Sequence, residues 1–240
     1  MTKYAVQLSI VVPSYNRHRF LGACLKSILS QAFEDFELIV IDDGSRDGTD
    51  EFLRRIKDPR LVHIRQAHRG ELAATNLGLR AARGSLITWV HSDDVLPPGS
   101  LARRVAALRH APRVGFCHGD INLIDQRGRV MSRLPAVNWN AGRVFRDYLR
   151  PDTERPVLYM VHHTTMMFRR SLLERIGFFD ETLPCAGDLD WMLRALRSVT
   201  MTKVPGILYH YRRHPEQGSV QGWKLLDRNA VVAKVRARYA

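Results

Sequence analysis

The chain has 240 residues, with 37 Lys+Arg against 24 Asp+Glu and a formal net charge of +13. Its 45% hydrophobic content excludes a disordered polyelectrolyte, and its length suffices for one sizeable core. No apolar run reaches the ~18 residues of a membrane span, and the first residues lack a signal-peptide pattern.

Three cysteines, Cys24, Cys117 and Cys185, stand far apart with no CxxC spacing. That fits neither a disulfide framework nor a zinc knuckle, and suggests a reducing, cytoplasmic setting. The positive charge leaves three partner classes open: nucleic acid, an anionic membrane surface, or a phosphorylated small substrate. A merely solubilising, arginine-rich surface is the fourth reading.

The predicted elements alternate in type over residues 1–118. Leu8 to Val12 is a buried strand, and Phe20 to Ser30 a helix with Leu21, Cys24, Leu25 and Ile28 in register. Glu37 to Ile41 is the second strand, Thr49 to Ile56 a helix and Leu61 to Arg65 the third strand. Leu72 to Ala82 is a helix closed by Gly84, Leu86 to Val90 the fourth strand, Leu101 to Arg109 a helix and Val114 to Cys117 the fifth strand.

The second half is less regular. Asp125-Gln126-Arg127-Gly128 reads as a turn between short strands, and residues 133–155 as loop with one short helix. Thr164 to Phe168 and Ile207 to Tyr211 read as strands. Gly187 to Arg197 reads as a helix, and Trp223 to Tyr239 as a basic C-terminal helix. No repeat or linker divides the chain. The expectation is one α/β domain over 1–240.

Alternating strands and helices imply a mostly parallel sheet flanked by helices on both faces. Ligands of such sheets bind beyond the carboxyl ends of the strands. Pro13-Ser14-Tyr15-Asn16, Asp42-Asp43-Gly44-Ser45 and His91-Ser92-Asp93-Asp94 all stand at such ends. Asp42-Asp43 suits either a base and ribose contact or plain turn chemistry. Asp93-Asp94 suits a hard divalent cation bridging to phosphate, or a helix cap. Asp188 and Asp190 enter a helix two residues apart and so face different ways, which allows one to act as a general base and the other to be structural.

These residues, taken together, resemble glycosyltransferase family 2. The likeness is carried by Ser9-Ile10-Val11-Val12-Pro13-Ser14-Tyr15-Asn16-Arg17, by Phe36 through Ser45 and by Asp47-Gly48-Thr49. Asn76-Leu77-Gly78, Ala82-Arg83-Gly84, Ser92-Asp93-Asp94, Ile176 through Glu181 and Gly187 through Arg194 extend it over about residues 8 to 220.

The resemblance implies a GT-A fold, with a nucleotide-sugar-binding half over about 1–118 and an acceptor-binding half with the C-terminal helix over about 119–240, and transfer of a sugar, with inversion, from a nucleoside diphosphate sugar, UDP- or dTDP-linked. It implies Asp188 as catalytic base and Asp94 as ligand of a divalent metal, Mn²⁺ or Mg²⁺. Pro13, Tyr15, Asp43, Arg69, Asn76, Asp93 and Asp94 form the implied nucleotide-sugar set. His163, Trp191, Arg212 and His214 are further diphosphate or acceptor candidates, and residues 212–222 a candidate lid. Trp139 and Tyr159 are candidate sugar-stacking surfaces.

Two positions depart from the family pattern. His91 stands where an Asp is usual, and a neutral imidazole binds Mg²⁺ poorly but tolerates Mn²⁺. Gly187 stands where a Glu usually precedes the base.

The implied acceptor is a carbohydrate or a lipid-linked sugar in polysaccharide or glycolipid synthesis, with peripheral membrane contact through the basic C-terminal helix. The competing reading is a basic nucleotide- or nucleic-acid-binding module. Against it, there is no helix-turn-helix signal, RNP motif or aromatic-basic interleaving.

Overall fold

The computed structural model describes residues 6–138, 140–149, 162–183, 186–218 and 228–239. Trp139, Tyr159 and Cys185 lie outside them, as do residues 219–227 of the candidate lid and C-terminal helix.

The amino-terminal half builds as its pattern dictates. Strand β1 (Leu8–Ser14) and strand β2 (Phe36–Asp42) are buried at every position. Runs of that kind belong in the middle of a parallel sheet covered on both faces. Alternate residues feed two cores. Val11, Ile39 and Ile41 join one, while Ile10, Val12, Leu38 and Val40 join the other.

Helix α1 (His18–Leu29) buries the stripe Phe20, Leu21, Cys24, Leu25 and Ile28. Helix α2 (Thr49–Arg55) and strand β3 (Leu61–Arg65) follow, then helix α3 (Glu71–Ala81) and strand β4 (Leu86–Trp89). Helix α3 lies hard on the sheet at Gly78, where a Cβ would stand 2.3 Å from Val11 Cγ1.

Beyond β4 come helix α4 (Ser100–His110), strand β5 (Val114–Ile124) and strand β6 (Val130–Leu134). Helix α5 (Ala141–Leu149), a 3₁₀ turn (His163–Thr165) and strand β7 (Met167–Arg169) continue the chain. Helix α6 (Arg170–Ile176), helix α7 (Gly187–Ser198), strand β8 (Thr200–Arg212) and helix α8 (Arg228–Ala237) complete it.

The order of the sheet is β3-β2-β1-β4-β7-β5, with β6 and β8 paired to β5. The pairings β1–β2, β1–β4, β2–β3 and β5–β8 are parallel; β4–β7, β5–β7 and β5–β6 are antiparallel. The parallel expectation therefore holds for the amino-terminal half, and the sheet becomes mixed where β7 is inserted. Strand β7 meets β5 at Phe116–Cys117 and β6 meets it at Ile121–Ile124, so one edge of this long strand serves two partners in turn.

Two elements differ in extent from their sequence pattern. The segment 164–168 divides into the 3₁₀ turn and the short strand β7, because Thr165 Oγ1 binds back to His162 O at 2.6 Å. Strand β8 begins seven residues before its apolar core because it pairs along the whole of β5.

Much of the arginine excess is used inside the fold. Arg104 is fully buried against Thr88 and Thr165, and Arg169 and Arg170 bind main-chain carbonyls. Arg133 and Lys203 both close on Asp120, whose carboxyl they hold down at about 2 against the cost of its burial. No helix among the described residues is long and apolar enough to cross a membrane.

Candidate active site

Strand order reverses between β1 and β4, so the loops after β1, β2, β3 and β4 gather at one edge of the sheet. The loop after β1 is tied to the loop after β2 through Asn16. This residue adopts φ 50°, receives Arg46 N–H on Oδ1 at 2.9 Å and donates its own N–H to Ser45 Oγ at 2.9 Å. Asn tolerates that left-handed conformation better than bulkier residues do.

Asp43 ties the loop after β2 to the one after β3. Its Oδ1 accepts Arg69 N–H at 2.9 Å and Gln66 Nε2 at 2.6 Å. Its Oδ2 accepts Gly70 N–H at 2.9 Å and faces His68 Nδ1 at 2.8 Å. Both oxygens of this buried carboxylate are thus engaged by protein groups. The Tyr15 and His68 rings stack above it, with centroids 3.8 Å apart and planes 19° apart. Both rings are exposed, as a platform for a planar ligand requires.

Asp93 and Asp94 follow β4 and are both buried. Asp94 Oδ1 accepts Arg212 N–H at 2.7 Å, while Oδ2 is sealed from water with no hydrogen bond of good geometry. Burial and the neighbouring Asp93 charge drive the Asp94 carboxyl well above the usual carboxylate range. For Asp93, burial also opposes ionisation. The hydrogen bond with His214 Nε2 at 2.9 Å and the charges of His91 and Arg17 outweigh it, so its carboxyl lies below the usual range.

The segment after β8 lies across this pair. Arg212 Nε binds Asp93 O at 2.7 Å, Arg17 Nη2 reaches Glu216 O at 2.5 Å, and Gln217 Nε2 bonds Arg212 O. Arg212 is buried, with its guanidinium also on Asp125 O and Gln126 O at 3.1 and 3.0 Å. Arg212 thus touches Asp94 through its main chain and Asp93 through its guanidinium.

Asp188 opens helix α7. Its Oδ1 accepts the Leu189 N–H at 2.7 Å, and its Oδ2 meets His163 Nε2 at 3.1 Å. Its side chain is 31% exposed, so it remains open to a substrate. Burial depresses the pKa of His163, with the nearby charge of His91 acting in the same direction and Asp188 opposing. The imidazole is thus favoured as a neutral donor to the carboxylate. Asp190, two residues on, is buried and binds Arg194 and the Tyr239 hydroxyl, so it anchors the C-terminal segment.

Three expected site residues are placed elsewhere. Trp191 is fully buried among Trp89, Phe168 and Phe179 and donates to Gly177 O at 3.0 Å; it is core, not a sugar-stacking surface. Asn76 spends its whole amide on Phe179 N and O and on Glu181, locking helix α3 to the loop before α7. Arg69 contributes its main-chain N–H to Asp43, while its exposed guanidinium pairs with Glu181 at 3.3 Å. Pro13 remains in β1 beneath Tyr15.

His91 is also not the neutral group its sequence context suggests. Its Nδ1 lies 2.9 Å from Glu71 Oε1. Burial resists its charge, but Glu71, Asp94 and Asp93 overcome that and hold its pKa well above the ordinary value. Glu71 was not legible as a site residue. Its one signal is a carboxylate directly after Gly70, at the start of α3.

The family model for glycosyl transferase family 2 matches residues 9–177. The chain belongs to this family. It is 31% identical over 213 residues to the glycosyltransferase EpsJ of Bacillus subtilis, covering 87% of this chain and 61% of that one. It is 25% identical over 229 residues to a glycosyltransferase of Rickettsia felis, covering 90% of this chain and 36% of the relative. The chain thus spans only part of the curated relatives it matches.

Among solved structures, S. aureus TarS in complex with UDP-GlcNAc superposes with a TM-score of 0.69 at 20% identity, over 94% of this chain and 66% of that one. The mannosyltransferase PcManGT of Pyrobaculum calidifontis, in complex with GDP-Man and Mn²⁺, gives 0.65 at 20% identity, over 98% and 74%. These neighbours share the GT-A fold with this chain.

Proposed function

We propose that this domain transfers a sugar, with inversion, from a nucleoside diphosphate sugar to an acceptor hydroxyl, using Asp188 as general base. The observation that carries the reading is the placement of Asp188. It is solvent-reachable, held by His163, and linked through the His91–His163 ring contact at 6.2 Å to the Asp93–Asp94 loop. A nucleophile's base and a cation-binding carboxylate pair therefore border one space.

The exposed Tyr15–His68 platform would receive the base, and the loop organised by Asp43 would present main chain to the ribose. Asp43 acts here by shaping that loop, since its own oxygens are engaged. Asp188 would take the proton of the acceptor hydroxyl as that oxygen attacks the anomeric carbon.

The donor atoms near Asp94 fit a divalent ion. Asp94 Oδ2 is buried without a hydrogen bond of good geometry, and a carboxylate oxygen of this kind suits Mn²⁺ or Mg²⁺. Such an ion, when bound, neutralises charge developing on the departing diphosphate. His91, protonated and paired with Glu71, would stand beside the donor as a fixed cation.

UDP-GlcNAc and GDP-Man in the structural neighbours support a nucleoside diphosphate sugar as donor. The 27% identity to Escherichia coli chondroitin synthase, over 89% of this chain and 30% of that one, supports a saccharide acceptor. Polysaccharide or glycolipid synthesis at the cytoplasmic face of a membrane fits this chemistry.

The test is nucleotide release from UDP-, GDP- and dTDP-sugars with oligosaccharide and lipid-linked acceptors, with Mn²⁺ and with chelator. Metal-dependent release from one donor class is expected. Equal release with and without chelator refutes the metal assignment, and no release from any donor refutes the function.

A further inference from the structure

Away from the Asp93–Asp94 loop, three potential metal-ligating side chains converge between β2, α2 and β3. They are Asp42, the last residue of β2, Asp50 on the first turn of α2, and His63 in the middle of β3. One ligand atom from each lies within 4.8 Å of the other two. Among the described residues this is the one such cluster of three.

A grouping of acids alone says little. Here a second observation points to a ligand. Asp42 Oδ2, Asp50 Oδ1 and His63 Nε2 are all sealed from solvent, and none makes a hydrogen bond. Asp42 is fully buried and Asp50 is 7% exposed. Buried polar atoms are nearly always paired; Asp50 Oδ1 and His63 Nε2 have no hydrogen bond and Asp42 Oδ2 has only an ion pair with Arg65, so their convergence needs an explanation.

The second oxygen of each carboxylate is bonded elsewhere, which orients the first toward the cluster. Asp42 Oδ1 accepts Ser45 N–H at 2.9 Å, and Asp50 Oδ2 pairs with Arg54 at 2.9 Å and with Arg65 at 3.4 Å. Arg65 Nε also approaches Asp42 Oδ2 at 3.2 Å. His63 Nε2 stands 3.8 Å from Asp50 Oδ1, too far for a hydrogen bond.

We propose that Asp42, Asp50 and His63 form a structural site for a divalent metal of the zinc class. Two carboxylates and one imidazole supply three ligands, and water supplies a fourth. Ligand atoms at ordinary zinc distances stand roughly 3.4 Å apart in a tetrahedron, so the observed spacing closes with small side-chain movements. The two carboxylate charges balance the ion. Arg54 and Arg65, 68% and 48% exposed, balance them without it; Arg65 also holds Ser45 O at 3.2 Å, so metal binding requires it to give up its contacts with the two carboxylates.

The site braces the end of β2 one residue before Asp43, the organiser of the nucleotide loops. The metal would thus stabilise the domain without touching the reacting atoms, and the assignment stands whether or not the proposed transfer reaction is correct.

The test is calorimetric titration of chelator-treated protein with Zn²⁺ alone. Asp94→Asn serves as the parent, because it removes the carboxylate of the donor-side metal position. The parent is expected to bind one equivalent, with a rise in melting temperature. Asp50→Asn and, separately, His63→Gln on that parent are expected to bind at least tenfold more weakly and to lose the rise. X-ray absorption should show a nitrogen and oxygen shell containing one imidazole. No binding by the parent overturns the proposal. So does unchanged binding in whichever of the two variants folds as the parent does in chelator, or a zinc shell with two or more imidazoles.

Discussion

Glu71 Oε1 lies 2.9 Å from His91 Nδ1, and this contact favours a positive charge at a position where the family resemblance implies an Asp. The pair changes the electrostatics of the donor side of the cleft. Removing the Glu71 charge removes the largest influence favouring the imidazolium. In Glu71→Gln the His91 resonance should titrate at lower pH than in the wild type. NMR titration of the imidazole nitrogens reads this directly; an unchanged midpoint would mean that the contact does not set the charge.

The second departure from the family pattern has a packing cause. A Cβ at position 187 would stand 2.6 Å from Leu72 Cδ1, so Leu72 occupies the space that a side chain there needs. Gly187→Ala should cost about 1–3 kcal/mol through overpacking. Leu72→Ala should absorb the insertion, making the double variant no less stable than Leu72→Ala alone. Urea melts of the four proteins test this, and simple additivity would contradict it. His91 and Gly187 are thus joined through consecutive residues of α3, Glu71 and Leu72.

His163 holds the Asp188 carboxylate at 3.1 Å without contacting the donor loops after β1 and β2. A positioned base contributes on the order of 10²–10⁴ in rate, and loss of its orienting partner should forfeit part of that. We expect His163→Ala to lower kcat by about tenfold or more with a smaller change in donor KM, since its hydrogen-bonding partner is the base and it meets the donor side only through the edge of the His91 ring. A rise in KM alone would place His163 in substrate binding.

Acid stability should depend on His118. This residue is buried in β5 with neither ring nitrogen bonded. Burial, then the charges of His162 and Lys203, push its pKa down to about 3. In the unfolded chain it titrates near ~6.5. Its neutral form therefore favours the fold above that pH, and the contribution is lost as pH falls from about 6.5 toward 3. Between pH 7.5 and pH 5 the loss from this group is about 2 kcal/mol. His118→Leu should show a correspondingly shallower fall in urea melts across that interval; an identical fall would show that other groups govern it.

The amino-terminal half was legible because its strands are uniform apolar runs and its loops carry turn chemistry at fixed spacing. Asp43, Asp93, Asp94 and Asp188 could be picked out as carboxylates after strands or at a helix start. What the sequence withheld was the partner of each. Asn76 and Trp191 sit inside recognisable motifs, yet one locks a loop and the other fills the core. Motif membership records that a position matters to the fold or to the site without separating the two. Arg212 misled for a related reason: an arginine in a loop-like segment reads as a free charge, whereas four hydrogen bonds from its main chain and guanidinium fix it in place. The site of Asp42, Asp50 and His63 was invisible because its members are separated in sequence and meet only when β2 and β3 pair.

The central claim is that Asp188 is the base of a transfer reaction whose donor is bound by other residues. The most direct measurement compares wild type with Asp188→Asn for both donor binding and nucleotide release in the presence of acceptor. The account expects donor affinity within about threefold of wild type and a fall in release of at least about 10²-fold. Release by Asp188→Asn equal to that of wild type would contradict it.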